Sequence, residues 1–139
     1  DKARSVVERL GITDQVHKRA DELSGGEQQR VGIARALMQE PELILADEPV
    51  PSLDPVLAHS ILGIIEKLNQ EDKLTVICSL HYLDLVQRYA TRVIGLKEGN
   101  IVYRGTKDDI MALSDDEFKQ IYGAEAERVG SSIEGQRGK

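Results

Sequence analysis

The stretch "LSGGEQQR" places Ser24, Gly25, Gly26 and Glu27 immediately before a run that reads as a helix. Ser24 and Glu27 have the S-x-x-E spacing of a capping box, in which each side chain satisfies the other residue's free backbone N–H. Two adjacent glycines at a helix start let the backbone approach a ligand closely. The free N–H groups and partial positive charge of that terminus suit a phosphate. A capped helix with glycines at its entry accounts for the same residues without any ligand. A second stretch, "LILADEP", ends an apolar run in Asp47 and Glu48. A strand stopping there puts two carboxylates at the carboxyl edge of a sheet, where open α/β folds bind ligands. One carboxylate can orient Mg2+, directly or through water, and the next can polarise an attacking water. A strand that simply ends at a polar turn would look the same. His81 follows another apolar run, "LTVICSL", and belongs to the same edge, where it could touch a terminal phosphate or serve only the fold.

These residues need a frame, and the pattern supplies one. Residues 2–10 read as a short helix ended by Gly11, and Thr13 as the cap of a second short helix over "DQVHKRA". The helix after Ser24 is expected over 25–39, with Val31, Ala34, Leu37 and Met38 on one stripe and Pro41 beyond its end. Residues 42–47 form an unbroken apolar run, the pattern of a parallel strand buried on both faces. Asp54 caps the next helix, with Pro55 at its first position. Leu57, Ile61, Ile64, Ile65 and Leu68 give that helix an apolar face. "KLTVICSL" reads as a second buried strand and "HYLDLVQRYA" as a helix. "RVIGL" and "IVYRG" flank "KEGN" as a hairpin. Ser114 and Glu117 form another capping box before a last short helix. The stretch 124–139 has almost no apolar content and is expected to be a mobile tail. Strand, helix and strand in succession imply an α/β fold with a mostly parallel sheet.

Composition sets outer limits. The chain has 139 residues, 40% hydrophobic and 30% charged, enough for one small domain with a core. Its net charge of -6 argues against broad nucleic-acid binding, which needs a basic face. Cys78 is the only cysteine and sits in an apolar run, so it reads as a small core residue and no internal disulfide is possible. His17 and His59 fall on expected helices and read as surface. No Cys/His cluster suggests zinc, no G-x-S-x-G elbow suggests acyl transfer, and no apolar run reaches the ~18 residues of a membrane span.

In order along the chain come "LSGGEQQR", a strand with "ADEP", then "SLD", then a strand and His81. This succession resembles the carboxyl-terminal part of an ATP-binding-cassette (ABC) ATPase, from about Arg4 to Gly123. The resemblance implies a P-loop NTPase fold with a partial parallel sheet flanked by helices. Residues 1–22 would end the helical subdomain, and 23–123 would form the carboxyl-terminal part of the ATPase domain. It also implies roles. Ser24, Gly25, Gly26 and Glu27 match the signature loop, which binds ATP across a head-to-tail dimer. Asp47 matches the Mg2+-associated aspartate and Glu48 the catalytic glutamate. Ser52, Leu53 and Asp54 match the D-loop, and His81 the switch histidine. The implied cofactors are ATP and Mg2+. The implied partners are a second ATPase subunit and membrane permease subunits, with the chain cytoplasmic and peripheral on the inner face of the membrane. "LILADEPVPSLDP", "SLHYLDLVQRYATRVIGLKEG" and "LSDDEFKQIYG" further resemble the ATPases of phosphonate-type importers. Two residues depart from the pattern: Glu27 stands where Gln is commoner, and Pro51 where Ala is usual.

The family's phosphate loop, G-x-x-x-x-G-K-[ST], occurs nowhere in the 139 residues. The one Gly-Lys pair is Gly138–Lys139, with Ile133 where the first glycine would stand. In the family that loop and its strand lie upstream of the signature, so the resemblance implies a fragment lacking the phosphate-loop strand and inactive alone. Two other readings remain open. One is a non-catalytic half-domain or interaction module. The other is a soluble ABC-type ATPase of DNA or ribosomes, disfavoured because Asp54 to Ser79 leaves no room for a long insertion. Without the missing strand, the hairpin must pair with 74–78, with water or with another chain. The isolated chain is expected to be marginally stable and prone to associate through "LTVICSL".

Overall fold

In a computed structural model, the described residues are 1–50 and 54–122. They divide into two units, Asp1–Leu80 and His81 onward.

In the first unit, α1 (Lys2–Arg9) is capped by Asp1, whose side chain accepts from Ala3 N. It ends at Leu10 and Gly11, where φ of +65° takes the left-handed conformation that glycine adopts without cost. The helix expected over "DQVHKRA" does not form. The chain makes two 3-10 turns instead, Thr13–Gln15 and Ala20–Glu22, and the Thr13 side chain caps neither. Helix α2 (Gly25–Leu37) follows, then strand β1 (Leu43–Ala46), helix α3 (Pro55–Asp72) and strand β2 (Thr75–Cys78). The strands pair in parallel, Leu43 opposite Thr75 through Ala46 opposite Cys78, with α3 as the crossover between them.

Helix α3 starts as its residues dictate. Asp54 Oδ1 accepts from Val56 N at 3.0 Å and Leu57 N at 3.3 Å, and Pro55 takes a position whose N–H would have no partner. It stops at Lys73, which turns left-handed at φ 57°. Replacing Asp54 by Ala removes an acceptor for two helix-start donors and should lower stability by about 1 kcal/mol. The denaturation midpoint should fall with no change in slope; an unchanged midpoint would remove Asp54 from this role. The buried face of α3 is Ala58, Ile61, Leu62 and Leu68, rotated from the expected stripe, so that Leu57, Ile64 and Ile65 are only half-buried. Leu10, Ile12, Val50 and Leu74 complete this core. Arg30 ties three elements together: Nη2 donates to Ser60 Oγ at 2.8 Å and Nη1 to Leu10 O at 3.4 Å.

The strands are not buried on both faces, as the unbroken apolar runs suggest. Along β1 and β2 exposed and half-buried residues alternate, and Leu45 and Ile77 are 72% and 60% exposed. An apolar run marks a strand that can be covered twice. Among the described residues a single layer of helices covers one face only.

In the second unit, α4 (Leu83–Tyr89) leads to the antiparallel pair β3 (Arg92–Lys97) and β4 (Asn100–Thr106). Their turn is Glu98–Gly99, with φ of 50° and 77°, the two consecutive positive values a tight hairpin needs. This pair forms a two-stranded sheet of its own. Helix α5 (Lys107–Ala112) was not expected; Thr106 caps it, accepting from Asp109 N at 3.2 Å. Helix α6 (Asp115–Tyr122) has the expected box, with Ser114 N donating to Glu117 Oε2 at 2.9 Å. Leu85, Ile110 and Phe118 are the buried large apolar residues here, with Gly95 of β3 buried among the described residues as well. No helix of the described residues is long and apolar enough to cross a membrane. The expected tail, 124–139, lies outside the described residues.

Candidate functional site

The start of α2 is built as its sequence requires. Ser24 Oγ accepts from Glu27 N at 3.3 Å, and Glu27 Oε2 accepts from Ser24 N at 2.8 Å. Glu27 Oε1 takes Gln15 Nε2 at 2.8 Å, with Lys18 Nζ 3.8 Å away. The Ser24 backbone donor, then its hydroxyl, then Gln15 and Lys18 hold the Glu27 carboxyl below the usual carboxylate range. Both carboxylate oxygens are thus engaged within the chain, so Glu27 serves its own helix. The two glycines differ. A Cβ on Gly26 would lie 2.7 Å from Leu57 Cδ1, so a side chain there would have to displace the tip of that leucine at the head of α3. A Cβ on Gly25 would meet nothing within 4 Å, so the chain's own packing does not require glycine there.

Asp47 and Glu48 follow β1 at its carboxyl end, and both are exposed. The parallel register brings Ser79, the residue after β2, to the same edge. Ser79 Oγ donates to Asp47 Oδ1 at 2.7 Å and accepts from Glu48 N at 2.7 Å. Glu48 adopts a left-handed backbone with φ of 43°. Asp54 stands at the head of α3 in the same unit. Ser52 and Leu53, matched to the D-loop, lie outside the described residues, as does Pro51. His81 is exposed and begins the second unit, separated from Ser79 by Leu80. Cys78 is half-buried at the end of β2, and burial pushes its thiol up to about 11, so it stays protonated at neutral pH.

Among the described residues no three His, Cys, Asp or Glu gather as a metal site. One oxygen-donor carboxylate beside a phosphate is nevertheless a usual protein contribution to Mg2+, which keeps most of its shell from water and phosphate. Asp47 fits that part.

Parallel strands joined by a helix, a capped Gly-Gly helix start and a carboxylate pair at the strand edge are the arrangement that the resemblance to ABC transporter ATP-binding domains implies. The chain belongs to that family, whose pattern, described as ABC transporter, matches residues 1–51. Its relatives include the phosphonates import ATP-binding protein PhnC of Bdellovibrio bacteriovorus, 50% identical over 127 residues, which cover 91% of this chain and 48% of that protein. The PhnC protein of Staphylococcus aureus is 48% identical over 132 residues, 93% of this chain and 50% of that protein. The chain therefore spans about half the length of the curated relatives it matches. Among solved structures, an ATP-binding cassette of an ABC transporter in its ADP conformation superposes with a TM-score of 0.78 at 33% identity, covering 89% of this chain and 49% of that one. A bacterial ABC transporter cassette solved as a dimer gives 0.65 at 34% identity, covering 76% and 46%.

Proposed function

We propose that this chain is the carboxyl-terminal part of an ATP-hydrolysing subunit that energises a membrane importer, with phosphonate or a related oxyanion as the cargo class. The observation that carries this reading is the strand edge where Asp47 and Glu48 stand beside Ser79, on a chain whose relatives are phosphonates import ATP-binding proteins. In this reading Glu48 polarises the attacking water and accepts its proton. Asp47 contributes to the Mg2+ shell; the ion, when bound, neutralises charge on the phosphates. His81 contacts the terminal phosphate. Ser24, Gly25 and Gly26 close over ATP held by a second ATPase subunit, with Glu27 holding the cap, and Ser52, Leu53 and Asp54 form the loop between the two active sites. The bare approach at Gly25 and the dimeric cassette among the structural relatives support that arrangement. The permease would hold the subunit at the inner face of the membrane.

Nothing in the 139 residues matches the loop that grips the β- and γ-phosphates, so the chain by itself should not bind Mg·ATP. Titration calorimetry at millimolar Mg·ATP should give no heat beyond dilution. A micromolar dissociation constant would show that the chain holds ATP by other means. Joined behind the phosphate-loop half of a phosphonate-type relative, the chain should yield a folded protein that hydrolyses ATP; a folded joined protein without turnover would sink the proposal.

A further inference from the structure

We infer that Ser79 is the positioning residue for the Asp47–Glu48 pair, an inference that rests on the ATPase role proposed for those two carboxylates. One hydroxyl makes two hydrogen bonds of 2.7 Å, donating to Asp47 Oδ1 and accepting from Glu48 N. The first fixes the rotamer of Asp47 and spends a lone pair of Oδ1. The second holds the Glu48 backbone at φ of 43°, a conformation non-glycine residues seldom adopt and one that sets where the following side chain departs from the strand. A single side chain directly after β2 thus bonds both to the Asp47 carboxylate and to the backbone that launches the Glu48 side chain.

The role is separable from folding. Ser79 is held in the sheet by its backbone, N–H to Ala46 O at 3.0 Å, and that bond does not involve the hydroxyl. The side chain is only half-buried, so truncation leaves no sealed cavity. Both of its hydroxyl bonds go to the residues that carry the chemistry. Alanine at 79 should therefore remove both of these bonds while leaving the β1–β2 pairing intact. Threonine should keep the geometry, because it retains the hydroxyl and a strand end accepts β-branching.

The test on the chain itself is amide exchange by NMR. In Ser79→Ala the Glu48 amide should exchange at least about tenfold faster, with the Ile44 and Ile77 amides, which lie in the β1–β2 ladder, unchanged, and Ser79→Thr should restore protection. Equal Glu48 exchange in Ser79→Ala and the parent overturns the inference, as does loss of protection at all three amides, which would mark a purely structural residue. In a joined protein that hydrolyses ATP, Ser79→Ala should lower kcat about tenfold with KM for ATP unchanged, and Ser79→Thr should recover it. If kcat for Ser79→Ala stays within twofold while Glu48→Gln abolishes turnover, positioning by Ser79 is wrong and the proposed function stands. If Glu48→Gln also keeps its turnover, the proposed function is what fails.

Discussion

Glu48→Gln, in a protein that supplies the phosphate loop, should abolish turnover while leaving ATP binding intact. The amide has the size of the carboxylate and can still be packed at the same strand end. It cannot accept the proton of an attacking water, and removal of a positioned base costs about 10^2 to 10^4 in rate. Binding rests on other groups, so the Mg·ATP-bound dimer should accumulate, visible by gel filtration as a doubled mass with nucleotide retained. The left-handed backbone at Glu48 is held through its N–H to Ser79, a bond the substitution leaves in place. The fold should therefore be unaffected, and loss of rate would report chemistry. Steady-state hydrolysis within twofold of the parent would remove Glu48 from the catalytic role.

Gly25→Asp should separate stability from activity. A Cβ there meets nothing within 4 Å, and Gly25 has no positive φ, so a side chain can be added without strain inside the chain. A carboxylate in the first turn of α2 also lies at the favourable end of the helix dipole. The melting temperature of the isolated chain should thus stay close to the parent's. Across a dimer the same carboxylate would face an incoming γ-phosphate. Like charges brought together cost several kcal/mol, on the order of a hundredfold or more in rate. Unchanged hydrolysis would mean that nothing anionic approaches Gly25. Gly26→Ala is the contrasting variant, because its Cβ would reach Leu57 Cδ1 within the chain and the leucine tip must turn aside before any partner is added.

Local signals in the sequence proved legible where a short stretch contains its own partner. The Ser24–Glu27 and Ser114–Glu117 boxes and the Asp54–Pro55 start all form within four residues, and each was readable from spacing. Helix α5 uses the same device, Thr106 with Asp109, but at six residues it is too short to show an apolar stripe. Thr13 failed the other way: a cap residue stood in place, yet the segment behind it lacked apolar residues to bury and settled into 3-10 turns. The burial of β1 and β2 depends on what lies over each face, which no run of apolar residues reveals by itself. Ser79 was passed over for a related reason. Its importance comes from the parallel register, which places it opposite residues 32 and 31 positions earlier in the chain. A small hydroxyl residue directly after a predicted strand, beside another strand ending in acids, is the one clue a reader of sequence could have used.

The contact between Gly26 and Leu57 has a mechanical meaning. Gly26 lies in the first turn of α2 and Leu57 in the first turn of α3, and a single added methyl would bring them to 2.7 Å. The one atom that fills the gap is the tip of the Leu57 side chain, so the two helix heads meet through a hinge that leucine can turn and not through backbone. The Gly-Gly turn and the start of α3, far apart in the sequence, thus share a joint whose play is set by the rotamer of one leucine.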